Sequence, residues 1–370
     1  MLPYFLLLFF SIVFPLIIYH SSGTLPTDNY NILARKKNEL TVKLFFLGFF
    51  ILLALRDVSV GNDLIEYRRI FENCIQLPFD KLSNMRWEVG YTFYNKLIGF
   101  VSKDFRFLLI VTALITLVPI YKLYAKENRY QVLLILLFIN MPCFPIVFSG
   151  LRQSIAMSIG ILAYMAIENK KYISSVLMIV LACCFHISAF VLVLLYPMIF
   201  FKIKTKHLLY IVPIMVVVYV CRIPLLLLTF RFLPEQYLSA YGTIEETGAF
   251  GMLILFLLFS IFSFVVLDET VMAKKDYFMR NILLVATMFQ FFVPIHGLVQ
   301  RASYYFLLFV PVSIISVVQA PKKMWKSISD FAAVVIGCFF SLYFFYNASF
   351  STDNLLNVFP YKFFWSGEGW

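Results

Sequence analysis

The sequence predicts an all-α, polytopic membrane protein of about 11–12 transmembrane helical segments with an outer interfacial helical region. Three observations carry that expectation. Of the 370 residues, 62% are hydrophobic and 14% charged, and mean hydropathy is +0.86; soluble domains run at about 45–50% apolar and 25% charged. The apolar residues fall in runs near the ~20 residues that cross about 30 Å of hydrocarbon. The net charge of +11 is gathered in short basic clusters between those runs. Such clusters orient spans, and they do not form the continuous basic face that nucleic acid requires.

In chain order the runs are 2–19, 40–55, 106–124, 129–148, 150–168, 172–201, 207–230, 250–267, 278–295, 302–319 and 327–347. Each is expected to be helical, because lipid offers no partner for an open backbone. The first has no Lys or Arg before it and no convincing small-residue cleavage site after it, so it reads as a retained span. Basic clusters at 35–37, 122–129, 170–171, 202–206, 274–280 and 322–326 all fit the cytoplasmic side under one condition. The run 172–201 must go out and come back, with its junction near His186 sunk below the outer surface in a protein-lined cavity. Both termini then lie outside, together with 56–105, 148–151, 231–249, 296–301 and 348–370. No repeat or compositional break divides the chain, so 1–370 reads as a single domain.

The stretch 56–105 is too polar to span and too patterned to be structureless. Leu64, Tyr67, Phe71 and Cys74 recur at helical spacing, as do Trp87, Tyr91, Tyr94, Ile98 and Val101. Both sets predict amphipathic helices in the outer interface. Asp63, with Glu66 three residues on, has the form of a capping box that starts the first of them.

Ionisable groups near membrane depth are costly to keep and therefore mark sites. Four clusters stand out. Arg56-Asp57 follows the second span, with Gly61, Asn62, Asp63 and Tyr67 after it; Arg56 suits an anion and Asp63 suits proton acceptance, against plain interface anchoring and capping. Ser149, Arg152, Gln153, Ala156, Gly160 and Ala163 form one small, polar helical stripe, and a guanidinium at a helix start suits phosphate; the bland alternative is packing, with Arg152 snorkelling. His186 stands alone in Cys-Cys-Phe-His-Ile-Ser-Ala, where it is either a structural histidine or a proton acceptor in a wet cavity. Pro294-Ile295-His296 precedes Gln300-Arg301-Ala302-Ser303-Tyr304-Tyr305, where Arg301 repeats the logic of Arg152 while Tyr304 and Tyr305 fit an aromatic belt. Arg56, Arg152 and Arg301 together predict an externally open site for a diphosphate, whose oxygens match guanidinium forks. The six cysteines show no metal-ligand spacing and read as small apolar packers, and neither a metal nor a cofactor is expected.

Taken in order, these pieces resemble the EpsG family of bacterial exopolysaccharide proteins, related in kind to the Wzy repeat-unit polymerases. The carrying residues are 56–61 with Asp63 and Tyr67, then Ser149-Gly150-Leu151-Arg152-Gln153-Ser154-Ile155-Ala156, Phe185-His186-Ile187-Ser188-Ala189, and 301–306. The resemblance implies a GT-C-like fold in the bacterial plasma membrane, with its site facing outward. It also implies polymerisation of polyprenyl-diphosphate-linked oligosaccharide repeat units in exopolysaccharide, capsule or O-antigen biosynthesis, alongside other polysaccharide-assembly membrane proteins. On that reading Arg152 and Arg301, with Arg56 third, hold the diphosphate, and Asp63 or His186 is the base. Gln153 and Tyr67 are further substrate contacts. The rival classes are a flippase for a lipid-linked sugar and a polysaccharide acyltransferase. A flippase predicts charges spread through the membrane depth and repeated halves. An acyltransferase rests on His186 alone.

Overall fold

The structure, a computed structural model, describes all residues except 21–26, 128, 232–249, 320–325, 351–355 and 367–370. The chain packs as two compact units, residues 1–190 with 333–370 and residues 191–332. The sequence, read as one domain, carries no composition shift at either border.

The first unit holds α1 (Leu2–His20), α2 (Thr27–Ala54), α3 (Leu64–Gln76), α4 (Val89–Val101), α5 (Phe105–Tyr124), α6 (Gln131–Asn140), α7 (Cys143–Ser149), α8 (Leu151–Glu168) and α9 (Tyr172–Phe185). The second holds α10 (Leu195–Phe200), α11 (Leu208–Val220), α12 (Arg222–Phe230), α13 (Gly251–Val266), α14 (Lys274–Gln290), α15 (Gly297–Leu307) and α16 (Val310–Val318). The last helix, α17 (Lys326–Phe350), belongs to the first unit from Ala333 onward. The molecule is an all-α, multi-pass membrane protein.

Several expected spans are bent. Among the described residues, Phe105–Tyr124, Lys274–Ile295 and Ser329–Phe350 are long and apolar enough to cross a bilayer alone. The runs 129–148, 207–230 and 302–319 break into helix pairs bent by 62°, 70° and 52°. Prolines account for two of these breaks, Pro142 between α6 and α7 and Pro311 at the start of α16, since a ring without an N–H cannot continue the ladder. Counting each pair as one span gives up to six, and Leu2–Ile18, Tyr172–Phe185, Ile187–Phe200 and Gly251–Val266 are shorter apolar helices besides. The run 172–201 does divide at His186, which is extended (φ −157°, ψ 118°) between α9 and the 3-10 turn Ile187–Leu194. Of the outer loop 231–249 only Arg231 is described, and Lys322 and Lys323 lie outside the described residues.

An aromatic core joins α2, α6 and α7. Phe49 stacks on Phe144 at 5.1 Å, and Phe138 meets Phe45 edge-on at 6.1 Å. In the second unit Arg280, a member of the 274–280 basic cluster, is buried and acts as a structural tie. It donates to Glu269 at 2.8 Å, to the Ser263 carbonyl at 2.8 Å and to the Ile203 carbonyl at 3.2 Å. Those bonds supply the partners that a buried charge needs.

The C-terminal segment is knit onto the loop after α2. Asp57 N–H donates to the Lys362 carbonyl, Gly61 N–H to Asn357, Asn62 N–H to Leu356 and Phe364 N–H to Leu55, all at 3.0–3.1 Å. The Ser149 hydroxyl ties both segments to the end of α7, accepting from Asn62 N–H at 3.0 Å and donating to the Leu356 carbonyl at 3.1 Å. Gly61 turns the loop with φ +113°, and a Cβ there would stand 2.7 Å from the Phe148 carbonyl oxygen. Gly61→Ala is therefore expected to lower stability by about 1–3 kcal/mol, read as a lower Tm in detergent. An unchanged Tm would show that the loop is not so constrained.

Candidate functional site

Two helix ends meet to make the site. The start of α4 abuts the end of α9 so closely that a Cβ on Gly90 would lie 2.7 Å from the Cys184 carbonyl oxygen. Only glycine permits that approach without displacement. It brings Glu88, the residue before α4, against His186, the residue after α9.

Glu88 then holds two partners. One carboxylate oxygen accepts from His186 Nδ1 at 3.1 Å and from the Ile187 N–H at 3.4 Å. The other pairs with Arg152 Nη1 in the first turn of α8. Arg152 also lies over the Trp87 ring, 4.4 Å from its centre, and bonds to the Tyr67 phenol from α3. Tyr67 in turn meets Tyr91 edge-on at 5.6 Å. The side chains of Arg152, Glu88 and His186 are 14%, 16% and 11% exposed, so the cluster is shielded yet reachable.

Burial alone would raise the Glu88 pKa, but the His186 hydrogen bond and the Arg152 charge outweigh it and hold it down to about 2. Glu88 is thus ionised at neutral pH and can only accept. The imidazole proton facing it therefore sits on Nδ1, and Nε2 carries a lone pair whenever the ring is neutral. Burial raises the Tyr67 phenol, with Arg152 opposing. The arrangement offers a base oriented by a carboxylate, beside a guanidinium at a helix start.

Arg152, His186 and Tyr67 are therefore brought together, and Gln153 is buried next to Arg152 on α8. Asp63 sits at the N-cap position of α3, exposed and near enough to influence Tyr67. Its side chain makes no capping bond, which corrects the expected capping box. Arg56 lies elsewhere. It is 2% exposed, with its guanidinium beside Tyr4 and Tyr361 and 5.5 Å from the Phe148 ring centre. Burial lowers it to about 10, still charged at neutral pH. Arg301 is half-buried on α15 of the second unit, where His296 Nδ1 accepts from Leu298 N–H at 3.2 Å and caps the helix. Tyr304 and Tyr305 are buried at 6% and 0% exposure, so they are core residues and not a belt.

Glu88 escaped the sequence reading because Trp87, placed on the apolar face of the second amphipathic pattern, put Glu88 on the polar face of that helix. In fact Trp87 precedes α4 and Val101 is exposed, while Tyr91, Thr92, Tyr94 and Asn95 form the buried face. The available signal was an acid two residues before a glycine at a helix start. Among the described residues no group of three or more His, Cys, Asp or Glu is placed to hold a metal ion.

The model of the EpsG family matches residues 40–363 of the chain. No curated protein and no solved structure matches it.

The depressed Glu88 pKa has a consequence for stability. A carboxylate held at about 2, against 4.5 for a free one, contributes stability above pH ~4.5 that is lost as pH falls toward 2. Thermal unfolding in detergent is expected to show Tm dropping through that window. Glu88→Gln is expected to start lower at neutral pH and to lack that part of the drop. A variant curve parallel to wild type would mean that the carboxylate is not so held.

Proposed function

The chain belongs to the EpsG family, and from that membership and the Glu88–Arg152–His186 cluster we propose that it is a repeat-unit polymerase. Its broader place, a membrane protein of exopolysaccharide biosynthesis, follows from the family. In the proposed reaction the nascent glycan leaves a polyprenyl diphosphate and is joined to a hydroxyl of the next lipid-linked unit, on the extracytoplasmic side of the bacterial plasma membrane. The bond from the anomeric carbon to phosphate oxygen breaks, a bond to the acceptor oxygen forms, and the acceptor proton passes to the base.

The observation that carries this reading is the shared carboxylate. Glu88 fixes the His186 ring with its basic nitrogen at Nε2, and positions Arg152 beside it. His186 takes the acceptor proton, a contribution of about 10²–10⁴-fold for a placed general base. Arg152 meets the negative charge that grows on the departing diphosphate, where a planar, permanently charged fork is effective. Between the two candidate bases we favour His186 over Asp63, because a carboxylate orients the former and the latter stands exposed at a helix cap. Tyr67 and Gln153 flank Arg152, and Tyr67 orients it. We assign Arg56 to holding the C-terminal segment. Arg301 stays a proposed phosphate ligand on the resemblance alone, as does the GT-C-like fold. A guanidinium supplies the cation, so the reading requires no metal.

Purified protein in vesicles with lipid-linked units is expected to lengthen glycans, with EDTA present or absent. Movement of units across the bilayer without lengthening would indicate a flippase instead. His186→Ala is expected to reduce turnover about 10²–10⁴-fold, and Arg152→Ala to abolish most activity at unchanged membrane abundance. Wild-type lengthening by either variant would overturn the assignment. In the native host, loss of the gene is expected to leave single lipid-linked units without long chains.

A further inference from the structure

We propose that α4 is immersed in the leaflet on the site's side of the membrane, packed against acyl chains, whereas α3 above it faces water. The inference does not depend on the polymerase reading. It starts from the length of α9. That helix begins directly after Lys170 and Lys171, whose charges keep its start at an aqueous interface. Its 14 residues rise about 21 Å at 1.5 Å each, short of the ~30 Å hydrocarbon core, and any tilt shortens the rise further. The far end of α9 is therefore still inside hydrocarbon, about 9 Å or more short of the opposite edge.

Gly90 seats the start of α4 on that same end, against the Cys184 carbonyl. Helix α4 consequently lies at leaflet depth, and its outward face has the matching composition. Val89, Phe93, Leu97, Phe100 and Val101 are all exposed, at 46–73%, and Phe79 extends the patch by stacking on Phe100 at 5.6 Å. Helix α9 likewise exposes apolar residues, among them Val176, Val180 and Leu181. The outward residues of α3 are mostly polar, Ile65 being the exposed apolar one. Glu66, Arg69, Glu72 and Asn73 are exposed, and the first three are joined in ion pairs with helix neighbours, as suits water and not lipid. Lys96 leaves the apolar face for the backbone, donating to the Ile75 and Leu77 carbonyls at 2.7 and 2.6 Å. The Glu88–Arg152–His186 cluster, at the meeting of α4 and α9, then lies below the headgroups as well.

The test places the photo-crosslinker p-benzoylphenylalanine at positions 93, 97 or 100 on α4, and at 69 or 73 on α3, in full-length protein in phosphatidylglycerol–phosphatidylethanolamine vesicles. Phe93 and Phe100 are exposed aromatics, so the larger benzophenone side chain extends outward without displacing the core, and folding should survive in at least those two. Irradiation is expected to give acyl-chain adducts at the α4 positions, about ten-fold or more above those at the α3 positions. Adducts to a second copy of the chain would make the patch a protein interface and overturn the proposal. Equal, low lipid adducts on both helices, with α4 open to a water-soluble quencher, would overturn it as well.

Discussion

A single carboxylate, Glu88, carries the arrangement. It accepts from His186 and from Arg152 at once, and so fixes the two relative to each other. A charge this shielded persists only with partners, because its desolvation is otherwise uncompensated. The pairing is thus self-consistent: Arg152 and His186 keep Glu88 ionised, and the ionised group fixes their positions. The proposed reactivity and the local stability at this point have the same physical cause.

The backbone makes that meeting possible. Glycine at 90 removes the side chain that would hold α4 away from α9. The break at His186 ends α9 early and turns the histidine toward the entering strand of chain at Glu88. On the other flank, Ser149 joins the loop after α2, the C-terminal segment and the end of α7 through two hydrogen bonds. Gly150 and Arg152 follow at once, so the start of α8 inherits its position from three segments far apart in sequence.

Much of this was legible beforehand, for stated reasons. Apolar run length foretold the helices, and the basic clusters foretold a break near His186, because the charges on either side of 172–201 could not otherwise share a face. Arg152 and Tyr67 were legible as polar residues in patterned surroundings. What sequence could not supply was pairing across the fold. Glu88 lies 64 residues from Arg152 and 98 from His186, and no periodicity links positions so distant. For the same reason Arg56 looked like a member of the site. Its burial among Tyr4, Tyr361 and Phe148 comes from a C-terminal segment whose docking leaves no local signature. The bends within 129–148, 207–230 and 302–319 were likewise hidden, since hydropathy sums over a window and does not register where a helix turns.

The account stands on Glu88 and His186 acting as one unit, and a double-mutant cycle measures that directly. Turnover of glycan lengthening would be compared for wild type, Glu88→Gln, His186→Asn and the double variant. The account requires the double variant to be no slower than the worse single one, because each change already disables the same dyad. Losses that multiply, as for independent sites, would contradict it.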